Sequence, residues 1–198
     1  IGLWDTAGGK LKKRLAGHSA PVESLAFTPD GKALVSAAGT DQSVRVWDVA
    51  TGKERPTGTG HAGAVTWLAF SPDGGRLFSA AGDNSVRAWP LGAQADPVVL
   101  DRSEHGVTAA ALAPDGKLIA AGDGRRIRLL DPDGKREPRQ LPPHDSEVTA
   151  LAFSADGKLL ASGGDDKTVR LWNPETGKAL ATFAGLGNFT FLLSDPIF

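Results

Sequence analysis

The sequence has no cysteine, which excludes disulfides, thiolate metal sites and a cysteine nucleophile together. The absence leaves the compartment open, because exported and cytosolic chains can both do without cysteine; a cytoplasmic location is the working expectation. A charge excess of one sign is also missing. Against 23 Asp and Glu stand 22 Lys and Arg, a formal net charge of -1, so no global field draws nucleic acid or an anionic membrane to the surface. No apolar run approaches the roughly 20 residues of a membrane helix, and no signal-peptide pattern is visible at the start. Neither nucleic acid nor membrane is an expected partner. The chain opens on Ile1, already within a strand-like segment, and is expected to be cut from a longer product.

What is present points to β-structure. The 25 glycines and 13 prolines mark a turn-rich chain, and 40% hydrophobic residues within a length of 198 suffice for one domain with a packed interior. From His144 to Asn173 three short apolar runs, 148–153, 158–161 and 168–172, are separated by Ala155-Asp156-Gly157 and Gly163-Gly164-Asp165-Asp166. Such runs, bounded by Gly/Asp clusters, read as strands joined by tight hairpins. The same pattern recurs. One unit has strands near 22–27, 33–37, 44–47 and, weakly, 53–57; the next near 65–70, 77–80, 86–89 and 97–100. A third has them near 107–112, 118–121, 127–130 and 138–141, and the fourth ends with 178–183. In front, residues 1–4 match a third strand and 11–16 a fourth.

Tryptophans set the period. Trp4 to Trp47 is 43 residues, Trp47 to Trp89 is 42, and Trp89 to Trp172 is 83, or two units, with Leu130 at the missing tryptophan. Four strands per unit at a period in the forties predict an all-β propeller of four-stranded antiparallel blades. Each blade needs its neighbours to cover its faces. Gly17-His18, Gly60-His61, the Pro-Asp-Gly turns, Ser-Val-Arg-Val-Trp-Asp at 43–48 and Thr-Val-Arg-Leu-Trp-Asn at 168–173 resemble the WD-repeat β-propeller family over nearly the whole chain. The expected organisation is one propeller domain: 1–16 ends a preceding blade, 17–58, 60–100, 101–141 and 143–184 are blades, and 185–198 starts a further one. The strand-like stretch Phe189–Leu193 either meets the front strands in a small closed ring or belongs to an arc of a larger ring, the reading favoured here. A ring completed by a second copy is the other alternative, so self-association is among the expected partnerships.

The resemblance implies a hydrogen-bond chain within each blade: His18, Ser36, Asp41 and Trp47; His61, Ser79, Asp83 and Trp89; His144, Ser162, Asp166 and Trp172. The carboxylate and the serine hydroxyl take one imidazole nitrogen each, and the serine oxygen accepts the indole N–H. A Ser-His-Asp hydrolase uses the same residue types. But the set recurs three times in phase, and no Gly-x-Ser-x-Gly elbow surrounds Ser36, Ser79 or Ser162. The structural role is therefore favoured and no catalytic residue is assigned.

The third unit departs from this pattern. Ser103 stands at the histidine position, Ala121 at the serine, Gly124 at the aspartate and Leu130 at the tryptophan. It is either a degenerate blade or a loop, 100–106, recruited for binding with Asp101, Arg102, Glu104 and a freed His105. Trp67 is an extra indole where the other units have Ser24, Ala109 and Ala150; it fills a gap between blades or faces a partner. Lys10, Lys12, Lys13 and Arg14 read as a solvated outer strand. Arg128, in phase with Arg45, Arg87 and Arg170, reads as a repeated packing residue, with Arg125 and Arg126 as local additions.

No metal and no cofactor are expected. The four histidines lie far apart in sequence, Asp131-Pro132-Asp133-Gly134 lacks the later ligands of a calcium loop, and Gly8-Gly9-Lys10 lacks the rest of a phosphate loop. By the resemblance, partners sit on a rim three and five residues after each histidine and one before each aspartate. These positions are Pro21, Glu23 and Thr40; Ala64, Thr66 and Gly82; Gly106, Thr108 and Asp123; Glu147, Thr149 and Asp165. Small and acidic, they predict a protein or peptide partner of basic character on a non-catalytic scaffold. The rival is a regulatory or substrate-presenting segment of a larger bacterial enzyme, of the kinase, protease or cytochrome kind.

Overall fold

The computed structural model describes residues 1–39, 41–55, 60–91 and 96–185. The expected strand at Phe189–Leu193, and with it the choice between a closed ring and an arc, lies outside them. Among the described residues every regular element is a strand. β1 (Gly2–Trp4) and β2 (Leu11–Arg14) form a two-stranded sheet. Four four-stranded antiparallel sheets follow. The first is β3 (Val22–Phe27), β4 (Ala33–Ala38), β5 (Val44–Asp48) and β6 (Glu54–Arg55), and the second is β7 (Val65–Phe70), β8 (Arg76–Ala81), β9 (Ser85–Pro90) and β10 (Val98–Arg102). The third holds β11 (Val107–Leu112), β12 (Ile119–Asp123), β13 (Arg126–Leu130) and β14 (Arg139–Gln140). The fourth holds β15 (Val148–Phe153), β16 (Leu160–Gly164), β17 (Thr168–Trp172) and β18 (Ala179–Ala184). Strand order follows chain order in each, as hairpin connections require.

The turns explain the registers. In the first blade the Asp30 carboxylate accepts from the Thr28 hydroxyl (2.7 Å) and the Lys32 amide (3.0 Å), while Gly31 takes φ 67° and its amide donates to the Thr28 carbonyl. Aspartate bonds its own backbone two residues on and glycine accepts the left-handed conformation, which pins the hairpin. Asp131-Pro132-Asp133-Gly134 is likewise a turn: the Asp133 amide donates to the Asp131 carboxylate and the Gly134 amide to its carbonyl.

The second strand of each blade is buried along its length, apart from Arg76 at the start of β8, as a strand covered on both faces must be. Val35, Val44 and Val46 of blade one pack on Val65, Leu77 and Trp89 of blade two, with Leu68 and Phe70 beside them. Ala111, Ala120, Ile127 and Leu129 of blade three pack on Val148, Phe153, Leu160 and Trp172 of blade four. Each core is thus a seam between neighbouring sheets, and no blade has a complete core of its own.

The seam between blades two and three shows where Trp67 belongs. Blade three presents Ala110, Leu112, Ile119, Ala121 and Leu130, and blade two presents Trp67, Phe78, Ala80, Val86 and Ala88. Register makes Ala110, Leu112 and Leu130 equivalent to Leu151, Phe153 and Trp172. It makes Phe78 equivalent to Val35, Ala120 and Ala161. Volume lost from one face is restored by two aromatics on the other, as close packing demands. Of the two readings of Trp67, gap filling is the one the structure supports.

Blade one is less completely covered. Its Leu25 and Phe27 are 52% and 54% exposed, although the equivalent Leu68, Phe70, Leu151 and Phe153 pack on a preceding blade. The small sheet covers the outer half of this face, where Leu15, Ile1 and Leu3 meet Leu34 and Trp47.

The compensation between Trp67 and Leu130 can be measured by urea denaturation. Trp67→Ala is expected to cost about 3 kcal/mol and Leu130→Trp about 1–3 kcal/mol by overpacking. The double variant is expected to cost less than the sum, with a coupling of about 0.5–3 kcal/mol; strict additivity would show that the two sites do not share a volume.

Candidate functional site: the blade networks and the loops above them

The last strand of one blade leads to a histidine at the foot of the next, and the turn after the second strand supplies the carboxylate. In blade one His18 Nδ1 lies 2.8 Å from Asp41 Oδ2, His18 Nε2 lies 2.7 Å from Ser36 Oγ, and Trp47 Nε1 donates to Ser36 Oγ at 2.7 Å. In blade two His61 sits 3.0 Å from Asp83 and 2.6 Å from Ser79, which accepts from Trp89 at 2.7 Å. In blade four His144 sits 2.9 Å from Asp166 and 2.7 Å from Ser162, which accepts from Trp172 at 2.8 Å. Indole can only donate. The serine proton is therefore directed to Nε2, and the imidazole proton sits on Nδ1, facing the carboxylate.

Two members of the networks carry weaker sequence signals. Ser43, Ser85 and Thr168, two residues after the aspartates, each donate a hydroxyl to the carboxylate at 2.6–2.8 Å and approach histidine Nδ1. Arg87 and Arg170 reach Asp83 and Asp166 at 3.1 and 3.4 Å, and their other ends bond the Gly60 and Pro143 carbonyls. In blades two and four the in-phase arginine is thus a clamp on the network, whereas Arg45 bonds Glu54 at 2.7 Å and approaches the Ser43 hydroxyl. The recurrence of Ser/Thr-x-Arg after each network aspartate was the available signal.

Burial pushes His61 and His144 below the ordinary histidine value, against the pull of their aspartates. Asp41 and Asp166 are partly desolvated, yet hydrogen bonds from Ser43 and Thr168, their backbone neighbours and the histidines bring each down to about 2. Asp83 is depressed further by the same kinds of bond. Ser36, Ser79 and Ser162 have no exposed surface. Each hydroxyl is held between an indole and an imidazole, so no substrate carbonyl can reach it.

Blade three departs from the expected assignment. Val107 pairs with Asp123 as Val22, Val65 and Val148 pair with Ala38, Ala81 and Gly164. Asp123 is therefore the last residue of the second strand and not a rim residue, and it is only 2% exposed. Gly124, at φ 56°, is the left-handed turn residue, the part played by Gln42, Asn84 and Lys167 elsewhere, and not a vacated aspartate position. A Cβ on Gly164 would lie 3.0 Å from His144 Nδ1 and 3.1 Å from Asp166. Ala38 and Ala81 carry a Cβ at that position beside intact networks, so it is the carboxylate beyond the Cβ that would compete with the imidazole–aspartate pair. Nor is His105 free. Asp123 accepts from the His105 amide (2.9 Å) and faces His105 Nδ1 at 3.1 Å. Arg128 bonds Asp101 at 2.7 Å and lies 4.0 Å from Asp123. Burial pushes the Asp101 carboxyl up.

Of the other rim positions, Pro21, Glu23, Ala64, Thr66, Gly82, Thr108, Glu147, Thr149 and Asp165 are exposed and Gly106 is half-buried; Thr40 lies outside the described residues. Thr66 and Thr108 have a second task. Their hydroxyls donate to the Val107 and Val148 carbonyls of the next blade, at 2.9 and 2.7 Å. Among the described residues no cluster of histidine and carboxylate side chains could hold a metal ion.

Stacked four-stranded sheets, each seamed to the next and three of them stitched internally through a buried serine, define a repeat protein of the propeller type. The chain belongs to the WD40 family: the family described as "WD domain, G-beta repeat" matches residues 9–48, 52–90, 98–131 and 135–173. It is also similar to the Periodic tryptophan protein 2 homolog of Neurospora crassa, 46% identical over 46 residues, 23% of this chain and 5% of that protein.

Two outcomes follow. Ser162→Ala leaves His144 Nε2 and Trp172 Nε1 without a partner, and denaturation should show a loss of about 1–3 kcal/mol for each orphaned group; an unchanged midpoint would remove the network from the fold's stability. Acid should act in two stages. The lowered values of His61 and His144 mean the unfolded chain binds more protons, so stability falls as pH drops below about 6.5. The depressed aspartates add a second fall between about pH 4 and about pH 2. Replacing His61 and His144 with glutamine should flatten the first stage, read from urea midpoints across pH.

Proposed function

We propose that this chain is a non-catalytic scaffold that binds a protein or peptide through the rim and loops on the histidine side of its blades, and that the preferred segment is basic. The observation that carries this reading is a separation of roles. In the three intact blades the reactive-looking side chains are consumed inside the sheet, while the neighbouring rim residues Glu23, Glu147 and Asp165 are exposed. Among described residues, none of these three carboxylates lies within ion-pair distance of a basic group. Unpaired carboxylates around a rim steer and select cationic segments more than they add raw affinity. The family supports protein binding in general, and the charge pattern supports the basic character.

Fluorescence anisotropy with a labelled six-lysine peptide tests this reading. The variant carrying Glu23→Lys, Glu147→Lys and Asp165→Lys should bind it about tenfold more weakly than the parent, with a shallower dependence on salt. Equal affinity in parent and variant would refute the rim assignment.

A further inference from the structure

Blade three turns outward what the other blades keep inside. In the intact blades both imidazole nitrogens are satisfied within the sheet. In blade three the buried Asp123 carboxylate takes the amides of Glu104 (3.3 Å) and His105 (2.9 Å) and faces His105 Nδ1. The imidazole is 65% exposed, and Nε2 has no partner among the described residues. Ser103, at the old histidine position, donates to the His105 carbonyl and so closes the loop on itself. The loop is therefore rigidly mounted although it lies at the surface.

Three arginines surround it. Arg126, next to Asp123, has one bond to Glu104 at 3.0 Å. Arg125, in the two-residue turn, and Arg102, at the end of β10, are exposed, and neither guanidinium has a partner among the described residues. Elsewhere the repeated arginines are committed to carboxylates: Arg45 to Glu54, Arg87 to Asp83, Arg170 to Asp166 and Arg128 to Asp101. The exposed balance here, Arg102, Arg125 and Arg126 against Glu104, is positive. The neighbouring loops of blade four carry Asp145, Glu147 and Asp165 and are acidic. Rebuilding the blade replaced an internal network with a fixed polar loop flanked by free guanidinium groups, whose planar forks match carboxylate and phosphate oxygens.

We propose that residues 102–106 and 124–126, on the histidine side of blade three, form a docking site for an acidic peptide segment. Arg102 and Arg125 are its ion-pairing groups, and His105, held by Asp123, is a fixed polar contact. The shared chemistry is an oxyanion on a peptide side chain, from glutamate, aspartate or a phosphorylated residue. The site borders the acidic loop of blade four, whose His144 and Val148 amides donate to the Arg125 and Gly124 carbonyls, but it is opposite in charge to Glu23, Glu147 and Asp165, so it stands whether or not those carboxylates bind basic segments. Preorganisation by backbone hydrogen bonds favours binding by lowering the ordering cost.

The test uses the whole 198-residue chain and two labelled peptides, hexaglutamate and a peptide of equal length whose one charged side chain is a phosphoserine, followed by anisotropy. Saturable binding of at least one peptide is expected, and the stronger arm identifies the oxyanion. Arg102→Ala with Arg125→Ala should weaken it about tenfold or more, and Arg125→Glu alone, at an exposed turn, should do the same. Glu147→Gln with Asp165→Asn, which removes negative charge beside the site, should not weaken it; a loss in that variant would place the peptide on the rim and overturn the proposal. Absence of saturable binding by both peptides, or unchanged affinity in the arginine variants, would overturn it too. So would tighter binding of an oligothymidylate of equal charge, which would assign the arginines to nucleic acid.

Discussion

A serine hydroxyl has one proton to donate, and in each intact blade that proton is directed to an imidazole sealed from water. The same oxygen accepts the indole N–H of the third strand. This centre ties the second strand, the third strand and the incoming loop together at a point where no water can substitute. An unmade bond there leaves donors buried without partners, which costs more than the bond contributes when made. The arginine clamps and the hydroxyls beside each aspartate are consequences of the same condition. The hydroxyls and backbone amides hold the carboxylate ionised and fixed, which orients the imidazole in one tautomer, while burial opposes protonation of His61 and His144 against the pull of their aspartates.

The blades then depend on one another through their faces. The seams are made of aliphatic and aromatic side chains contributed by both neighbours, and blade three shows how they respond to change. Tryptophan, serine and the imidazole–aspartate pair are all absent from their usual places in it. Trp67 and Phe78 on the adjoining sheet occupy the freed volume, and Asp123 enters the freed polar space. The Thr66 and Thr108 hydroxyls cross to the next blade as well, so these exposed residues contribute to the stack of blades.

Strand pattern and blade phase were legible in the sequence because each rests on local spacing: alternation within a strand, hairpin chemistry, and a period near 42; the three complete networks were implied by the resemblance to the WD-repeat family, which supplies the pairing that spacing does not. Blade three was legible only in part. Its turn is one residue shorter than that of blade four, so a fixed count back from the tryptophan position placed Gly124 where an aspartate was sought and left Asp123 on the rim. Register, which depends on pairing across the sheet, moves Asp123 into the strand. The partnership of His105 with Asp123 and the crossing of Thr66 to Val107 are contacts between segments far apart in sequence, and spacing alone carries no trace of them. Trp67 was visible as an outlier against Ser24, Ala109 and Ala150, but its role required the facing residues of the next blade.

The central claim is that buried serines hold the tryptophans of intact blades inside the sheets. Hydrogen exchange at the five indole N–H groups, followed by NMR, tests it most directly. The account predicts slow exchange for Trp47, Trp89 and Trp172, whose indoles donate to Ser36, Ser79 and Ser162, and fast exchange for Trp4, which is 61% exposed. Exchange of the three network indoles at the rate of Trp4 would contradict it.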